Sequence, residues 1–359
     1  MTQTTSPAEL DSVVNLADFE PLGRARMAGP AFDYVAGGSW DEITLTEADE
    51  AWRQRRFVPR VLRDLGTIDV GGSFLGRRAA LPVAIAPMAA QAMAHPGAEA
   101  EMAAGAAAAG IPFCLSTSSS MTLEDVAAAA PDADRWFQLY VVGGMSYSRE
   151  LVERAEAAGY RAIVLTVDLP VLGRRERDVR SGFQLPAMPH VDAANDAGAL
   201  RYGALEDWRN PKLTWESVAE IRSWSSLPLV VKGILSPEDA HLAAEAGVDA
   251  IVVSSHGGRQ LDRTISTPAA LPAIVAAVAG RCELWVDGGI RRGLDVVTAF
   301  ALGATGVLVG RPFYWALAAG GRAGVERAAT VLRDELKLAL PLLGCSSIAE
   351  ITPDLLAPA

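Results

Sequence analysis

LPLVVKGILSPEDAHLAAEAGVDAIVVSSHGGRQLD, residues 227–262, holds two short apolar runs on either side of an alanine-rich segment. The runs LPLVVKG (227–233) and AIVVSSH (250–256) are near-continuous in β-branched and aliphatic residues, and each passes into a polar residue followed by glycine. Such runs suit strands buried on both faces of a parallel sheet, not half-exposed antiparallel strands. Between them, SPEDAHLAAEAG opens on Ser-Pro and closes on Gly, the start and stop signals of a helix. The stretch predicts strand, helix, strand.

Six more runs of the same kind occur: LPVAIAP (81–87), IPFCLS (111–116), WFQLY (136–140), AIVLTVD (162–168), ELWVDGG (283–289) and GVLVGR (306–311). The marks Ala86, Ser116, Tyr140, Asp168, Lys232, His256, Asp287 and Gly310 lie 30, 24, 28, 64, 24, 31 and 23 residues apart. A strand–helix unit repeating at that period is a βα array, and eight units with one long interval predict a (β/α)8 TIM barrel. A barrel of about 250 residues leaves an N-terminal helical extension of about 80. The chain, 1–359, thus reads as one domain, with the extension at about 1–80 and the barrel at about 81–345. A doubly wound sheet is the competing arrangement. It is weakened because no G-x-G-x-x-G follows the first strand and the runs number eight.

The long interval after the fourth strand, about 182–212, is rich in Pro, Gly, Asn and Asp and shows neither helical nor strand periodicity. A loop of that length inside a compact domain is usually functional, so it is expected to be an active-site lid.

Composition removes several function classes. With 43 acidic against 32 basic residues the net charge is −11, which argues against nucleic acid as a partner. Three scattered cysteines form no C-x-x-C, so neither a disulfide framework nor a metal centre is expected. The N-terminus lacks the basic and apolar regions of a signal peptide, and no apolar stretch approaches about 18 residues. A soluble, cytoplasmic protein without membrane partners is the expectation. Only Lys212, Lys232 and Lys337 among the basic residues are lysine, so each invites a reason.

In a barrel of this kind chemistry sits at the C-terminal strand ends. There the sequence places Gln138, Tyr140, Thr166, Asp168, Lys232, Ser254, His256, Asp287 and Arg311, while the first strand ends in Pro87 and Met88. Any one such group could be satisfied within a turn; with Ser116 ending the second run, polar ends on seven of the eight strands together point to a site. His256 closes a buried run and precedes two glycines, which suits a proton acceptor, with Asp168 a candidate to stabilise its cation. Lys232 argues either for an anionic ligand or for a Schiff base. DGGIRRG (287–293) and VGRP (309–312) end the last two strands, where barrels commonly bind phosphate, and Arg291 and Arg311 would add charge. A carboxylate ligand is available from GRRERDVR (173–180) or from Arg259.

These motifs resemble a known family. SSHGGRQLD, DGGIRRG, LTVDLPVLGRRERD, FQLY, VVKG and the N-terminal FDYVAGGSWDE, in their order between about Asp18 and Ile351, are similar to those of the FMN-dependent α-hydroxy-acid oxidases and dehydrogenases. The resemblance implies FMN, and oxidation of an (S)-2-hydroxy acid to the 2-oxo acid with dioxygen giving hydrogen peroxide. It implies His256 as base, with Asp168 paired to it, and Arg175 and Arg259 on the substrate carboxylate. It implies Tyr34 and Tyr140 on the substrate carboxylate and hydroxyl. For the flavin it implies Pro87, Met88, Ala89, Ser116, Gln138, Thr166, Lys232 and Ser254 at the ring and ribityl parts, with Tyr140 nearby. Asp287, Gly288, Gly289, Arg291, Gly310 and Arg311 would form the ribityl and phosphate cradle. Relatives are often homotetramers. Ser118 stands where glycolate oxidases carry a tryptophan, which enlarges the pocket and favours a mandelate or 4-hydroxymandelate oxidase. Ala89 also matches oxidases rather than the membrane-bound mandelate dehydrogenase, which has glycine there. Glycolate or lactate oxidase, or a dehydrogenase using another acceptor, is the alternative.

Overall fold

The computed structural model describes residues 7–194 and 213–358. Helices Phe19–Arg26, Gly29–Ala36 and Ile43–Arg53 lead into an antiparallel hairpin, β1 (Gly72–Phe74) and β2 (Arg77–Ala79). The eight apolar runs follow as β3 (Val83–Ile85), β4 (Phe113–Ser116), β5 (Arg135–Leu139), β6 (Ile163–Thr166), β7 (Leu229–Ile234), β8 (Ala250–Val253), β9 (Glu283–Val286) and β10 (Gly306–Val309). All neighbouring pairs are parallel, and β10 pairs with both β9 and β3, closing the sheet. At least one helix follows each strand, so the (β/α)8 barrel expected from the spacing is the architecture. No described helix is long and apolar enough to cross a membrane.

Alternation along each strand splits its side chains between two cores. Ala84, Cys114, Trp136, Val164, Val230, Val252, Trp285 and Leu308 pack together inside the barrel. Ile85, Leu115, Phe137, Leu165, Val231, Val253, Val286 and Val309 face outward against the helices. Two residues beyond each interior position lies Ala86, Ser116, Gln138, Thr166, Lys232, Ser254, Asp287 or Gly310. The same parity that fills the barrel therefore aims these groups at its mouth.

The opposite end is closed by aromatics. Trp136 and Trp285 stack with centroids 4.8 Å apart, and Phe74 from the hairpin meets them edge-on at 5.4 and 5.3 Å. The hairpin turns at Leu75 (φ 50°) and Gly76 (φ 72°), two left-handed residues as a tight two-residue turn requires. This hairpin lies inside the extension expected to be helical. Three-residue strands are too short to show periodicity, and Phe74 is fixed by long-range packing.

The extension also touches the barrel mouth. The Asp262 carboxylate accepts from the Thr44 N–H at 2.8 Å and the Ile43 N–H at 3.3 Å, capping helix Ile43–Arg53 from 218 residues away. Ser39 donates through its N–H to the Gly258 carbonyl at 2.9 Å. Of the expected lid, residues 195–212 lie outside the described residues, whereas Pro189–Ala194 is a helix. Its His190 is buried and accepts from the Leu123 N–H at 3.1 Å. Burial pushes its pKa down to about 4, so it serves as a neutral strut.

Candidate active site

The C-terminal mouth opens on a cavity whose empty space, open solvent included, is about 1560 Å³. Its walls include Tyr34, Pro87, Met88, Ala89, Ser116, Ser118, Tyr140, Thr166, Arg175, Lys232, His256 and Arg259, and Asp287, Gly288, Gly289, Arg291, Gly310 and Arg311. Gln138, Asp168 and Ser254 stand behind that wall, each bonded to a group in it. Ser116 donates to Gln138 Oε1 at 3.0 Å, and Lys232 Nζ donates to Ser254 Oγ at 2.8 Å. Asp168 accepts from His256 Nδ1 at 2.8 Å.

His256 occupies the left-handed region at φ 54°, followed by Gly257 (φ 63°) and Gly258 (φ 71°). A β-carbon at Gly258 would stand 2.7 Å from the Leu45 backbone nitrogen, so glycine lets the extension seat directly on this loop. Tyr140 Oη lies 3.3 Å from His256 Nε2. Burial lowers the histidine pKa more than Asp168 raises it, leaving a neutral imidazole whose Nε2 faces the cavity. Desolvation of the half-buried Asp168 carboxyl raises its pKa, yet His256 and Lys232 hold it below the usual carboxylate value. Burial pushes the Tyr140 phenol well up, so it stays protonated.

Lys232 is 5% exposed and carries an internal counterion: Nζ lies 3.2 Å from Asp287 Oδ2. Its retention as lysine therefore does not require an external anion. Gly233 beside it has φ 113°, and a β-carbon there would meet the Asp168 β-carbon at 2.6 Å. This glycine admits Asp168 to the site, a role that only packing reveals.

Cations gather elsewhere in the cavity. The Arg259 and Arg175 guanidinium carbons stand 4.7 and 5.7 Å from the centre of the Tyr34 ring. Arg311 donates to the carbonyls of Val35 at 2.9 Å, Gly37 at 3.0 Å and Gly257 at 2.9 Å. Burial and repulsion from Arg259 and Arg291 push its pKa down to about 9, and among the described residues no carboxylate forms an ion pair with it. Such a site favours an incoming anion. Asp287 Oδ1 in the wall and Gln138 Nε2 just behind it are buried with no protein partner, so the inner end of the cavity offers an acceptor and a donor for a polar planar group. The residue set fits a phosphate-bearing cofactor with a hydrogen-bonding ring, such as FMN.

The outer rim is apolar. Leu169, Leu172, Phe183 and Leu185 line it, and the Phe183 ring lies 5.0 Å from that of Tyr34. Tyr314 adds a wall and donates to the Ala90 carbonyl at 2.8 Å. None of these five was singled out in the sequence. Leu169 and Leu172 sit inside a quoted motif, but a leucine carries no chemical signal of its own.

Comparison with known proteins points to the same cofactor. The sequence profile of the FMN-dependent dehydrogenases matches residues 23–358. The chain is 47% identical to a 4-hydroxymandelate oxidase of Amycolatopsis orientalis, covering 93% of this chain and 96% of that protein. It is 45% identical to an L-lactate oxidase of Nostoc sp., covering 95% and 97%. The crystal structure of mandelate oxidase with (S)-4-hydroxymandelic acid superposes with a TM-score of 0.90 at 45% identity, covering 96% of this chain and 98% of that one. The chain belongs to the FMN-dependent dehydrogenases, the family of the FMN-dependent 2-hydroxy-acid oxidases, and FMN is its cofactor.

Proposed function

We propose that this chain oxidises a 2-hydroxy acid with an aryl side chain, mandelate or 4-hydroxymandelate, to the 2-oxo acid, with dioxygen as final acceptor and hydrogen peroxide as second product. The observation that carries the substrate class is Ser118 in the wall of the cavity that Leu169, Leu172, Phe183 and Leu185 also line. A small side chain within an apolar enclosure leaves volume for a ring and excludes water from it. The likeness to 4-hydroxymandelate oxidase and mandelate oxidase supports the same reading.

FMN, when bound, supplies a two-electron acceptor. In this reading Pro87 to Ala89, Ser116, Gln138, Thr166, Lys232 and Ser254 hold its ring, with Tyr140 beside them. Asp287 to Gly289, Arg291, Gly310 and Arg311 hold its ribityl chain and phosphate. Arg175 and Arg259 clamp the substrate carboxylate, and Tyr34, whose ring both guanidiniums approach, assists. That clamp fixes the α-carbon, a positional contribution that can reach several kcal/mol (about 7–11 at the upper limit). Tyr140 donates towards the substrate hydroxyl. His256 accepts one proton at Nε2 as the α-carbon is oxidised, and Asp168 stabilises the resulting imidazolium through Nδ1.

Anaerobic mixing of the FMN-loaded protein with mandelate, 4-hydroxymandelate, glycolate and L-lactate tests the proposal. Aryl acids should bleach the flavin absorbance fastest, and air should restore it with release of peroxide. Fastest bleaching by glycolate or lactate would replace this reading with the second one, which the 45% identity to L-lactate oxidase favours.

A further inference from the structure

Gln260 follows Arg259 in SSHGGRQLD and is 7% exposed. All of its amide's hydrogen-bonding directions but one go to a single loop, the segment after β6. Nε2 donates to the carbonyls of Asp168 at 3.1 Å and Val171 at 2.8 Å. Oε1 accepts from the Gly173 N–H at 3.2 Å. That loop carries Asp168 near its start and Arg175 as its last residue before helix Glu176–Ser181, with Leu169 and Leu172 between them in the cavity wall. The loop holding Gln260 carries His256 and Arg259.

The two loops also touch backbone to backbone. A β-carbon at Gly173 would lie 2.4 Å from the Arg259 carbonyl oxygen and 2.7 Å from that of Gln260. Close approach alone leaves the loops free to slide past each other. An amide bonded at three points of one segment fixes where along that segment the contact is made, because two donors and one acceptor must all find their partners. Two contacts of the cavity span the same pair of loops: His256 Nδ1 to Asp168 at 2.8 Å, and Arg175 Nε to the Arg259 carbonyl at 3.5 Å.

We propose that Gln260 is the positioning residue that registers the β6 loop on the β8 loop, and so holds Asp168 against His256 and Arg175 beside Arg259. The inference rests on reading His256 as the base. Asp168, Lys232 and Arg175 are the charged groups around the imidazole, with the Tyr140 hydroxyl at Nε2. When the register loosens, the carboxylate retreats and the two cations dominate, so protonation of the ring becomes harder.

The test uses FMN-loaded protein without substrate, following the His256 ring by NMR titration; with four histidines in the chain its signal is assignable through H256A. Gln260→Leu, similar in volume but without the amide, should lower the His256 titration midpoint by about one pH unit, in the direction that loss of a nearby carboxylate gives. It should lower kcat/KM for the fastest substrate on the order of a hundredfold, the effect of displacing reacting groups by about an ångström. Flavin absorbance should persist. Gln260→Met, unbranched and neutral, also lacks the amide, so it should shift the midpoint in the same direction and provides the measurement if the leucine variant does not fold. An unmoved midpoint in either folded variant overturns the proposal. Asp168→Asn is the control: a midpoint unmoved by D168N removes the base reading itself, whereas one moved by D168N and not at position 260 removes only the role of Gln260.

Discussion

The Asp168 carboxylate accepts a 2.8 Å hydrogen bond from Nδ1 of His256 across 88 residues of sequence. A carboxylate can only accept when ionised, so the ring proton sits on Nδ1 and Nε2 is left free to take another. Because burial lowers the His256 pKa from 6.5, the imidazole is already neutral at pH 7. The base form is lost as pH falls through that depressed value. The acid limb of kcat/KM should therefore lie below pH 6.5 and fall with a slope of one proton, as steady-state rates measured between about pH 4.5 and 8 will show. A limb above 6.5 would contradict the assignment.

His256→Ala should keep the yellow flavin spectrum, since no cofactor-holding role is assigned to the imidazole. Its anaerobic reduction by substrate should slow by about 10²–10⁴-fold, the usual contribution of a positioned base. Stopped-flow absorbance at the flavin band reads both quantities. Unchanged reduction would remove His256 from the chemistry.

Ser118 lines the cavity and is 6% exposed, so a larger side chain there has nowhere to go but inward. Ser118→Trp should lower the mandelate reduction rate by at least about a hundredfold, comparable to the strongest steric discrimination of apolar pockets. Glycolate reduction should change by less than about tenfold. The ratio of the two rates in one preparation is the measurement, and an unchanged ratio would show that position 118 does not set substrate size.

Lys232 and Asp287 form a 3.2 Å pair with both side chains nearly out of solvent. Asp287→Asn leaves the ammonium buried without its counterion, which destabilises by about 3–5 kcal/mol. Urea denaturation of the apoprotein should show that loss, and adding Lys232→Met should recover much of it. Burial opposes the lysine charge, but Asp287 and Asp168 raise its pKa above 10.5. The pair's contribution is thus fully present at neutral pH and fades only as pH rises through the still higher folded-state value.

Phe74→Ala probes the closed end of the barrel. Removing the ring that abuts Trp136 and Trp285 should cost about 3–5 kcal/mol of stability. The rate of flavin reduction should stay within about twofold of the parent, because packing at this end serves stability while chemistry sits at the other. Thermal melting and stopped-flow reduction on one sample separate the two effects.

Strand positions were legible in the chain because eight apolar runs recur at a βα period, and a parallel strand buried on both faces writes itself as such a run. The same continuity hides which face each residue takes. Cys114 and Leu115 read alike in sequence, yet one fills the barrel and the other packs on helices. Polar strand ends such as Ser116, Lys232, His256 and Asp287 could be named because polar groups at the ends of buried strands need a reason. Gly233, Gln260 and Leu169 carry no such signal. Gly233 makes room for Asp168, Gln260 grips the β6 loop and Leu169 walls the cavity only because residues distant along the chain arrive there. Residue types and their order determined the barrel and its chemical candidates. Barrel closure, loop register and the internal counterion of Lys232 were decided by tertiary contacts, which depend on distances that no local pattern encodes.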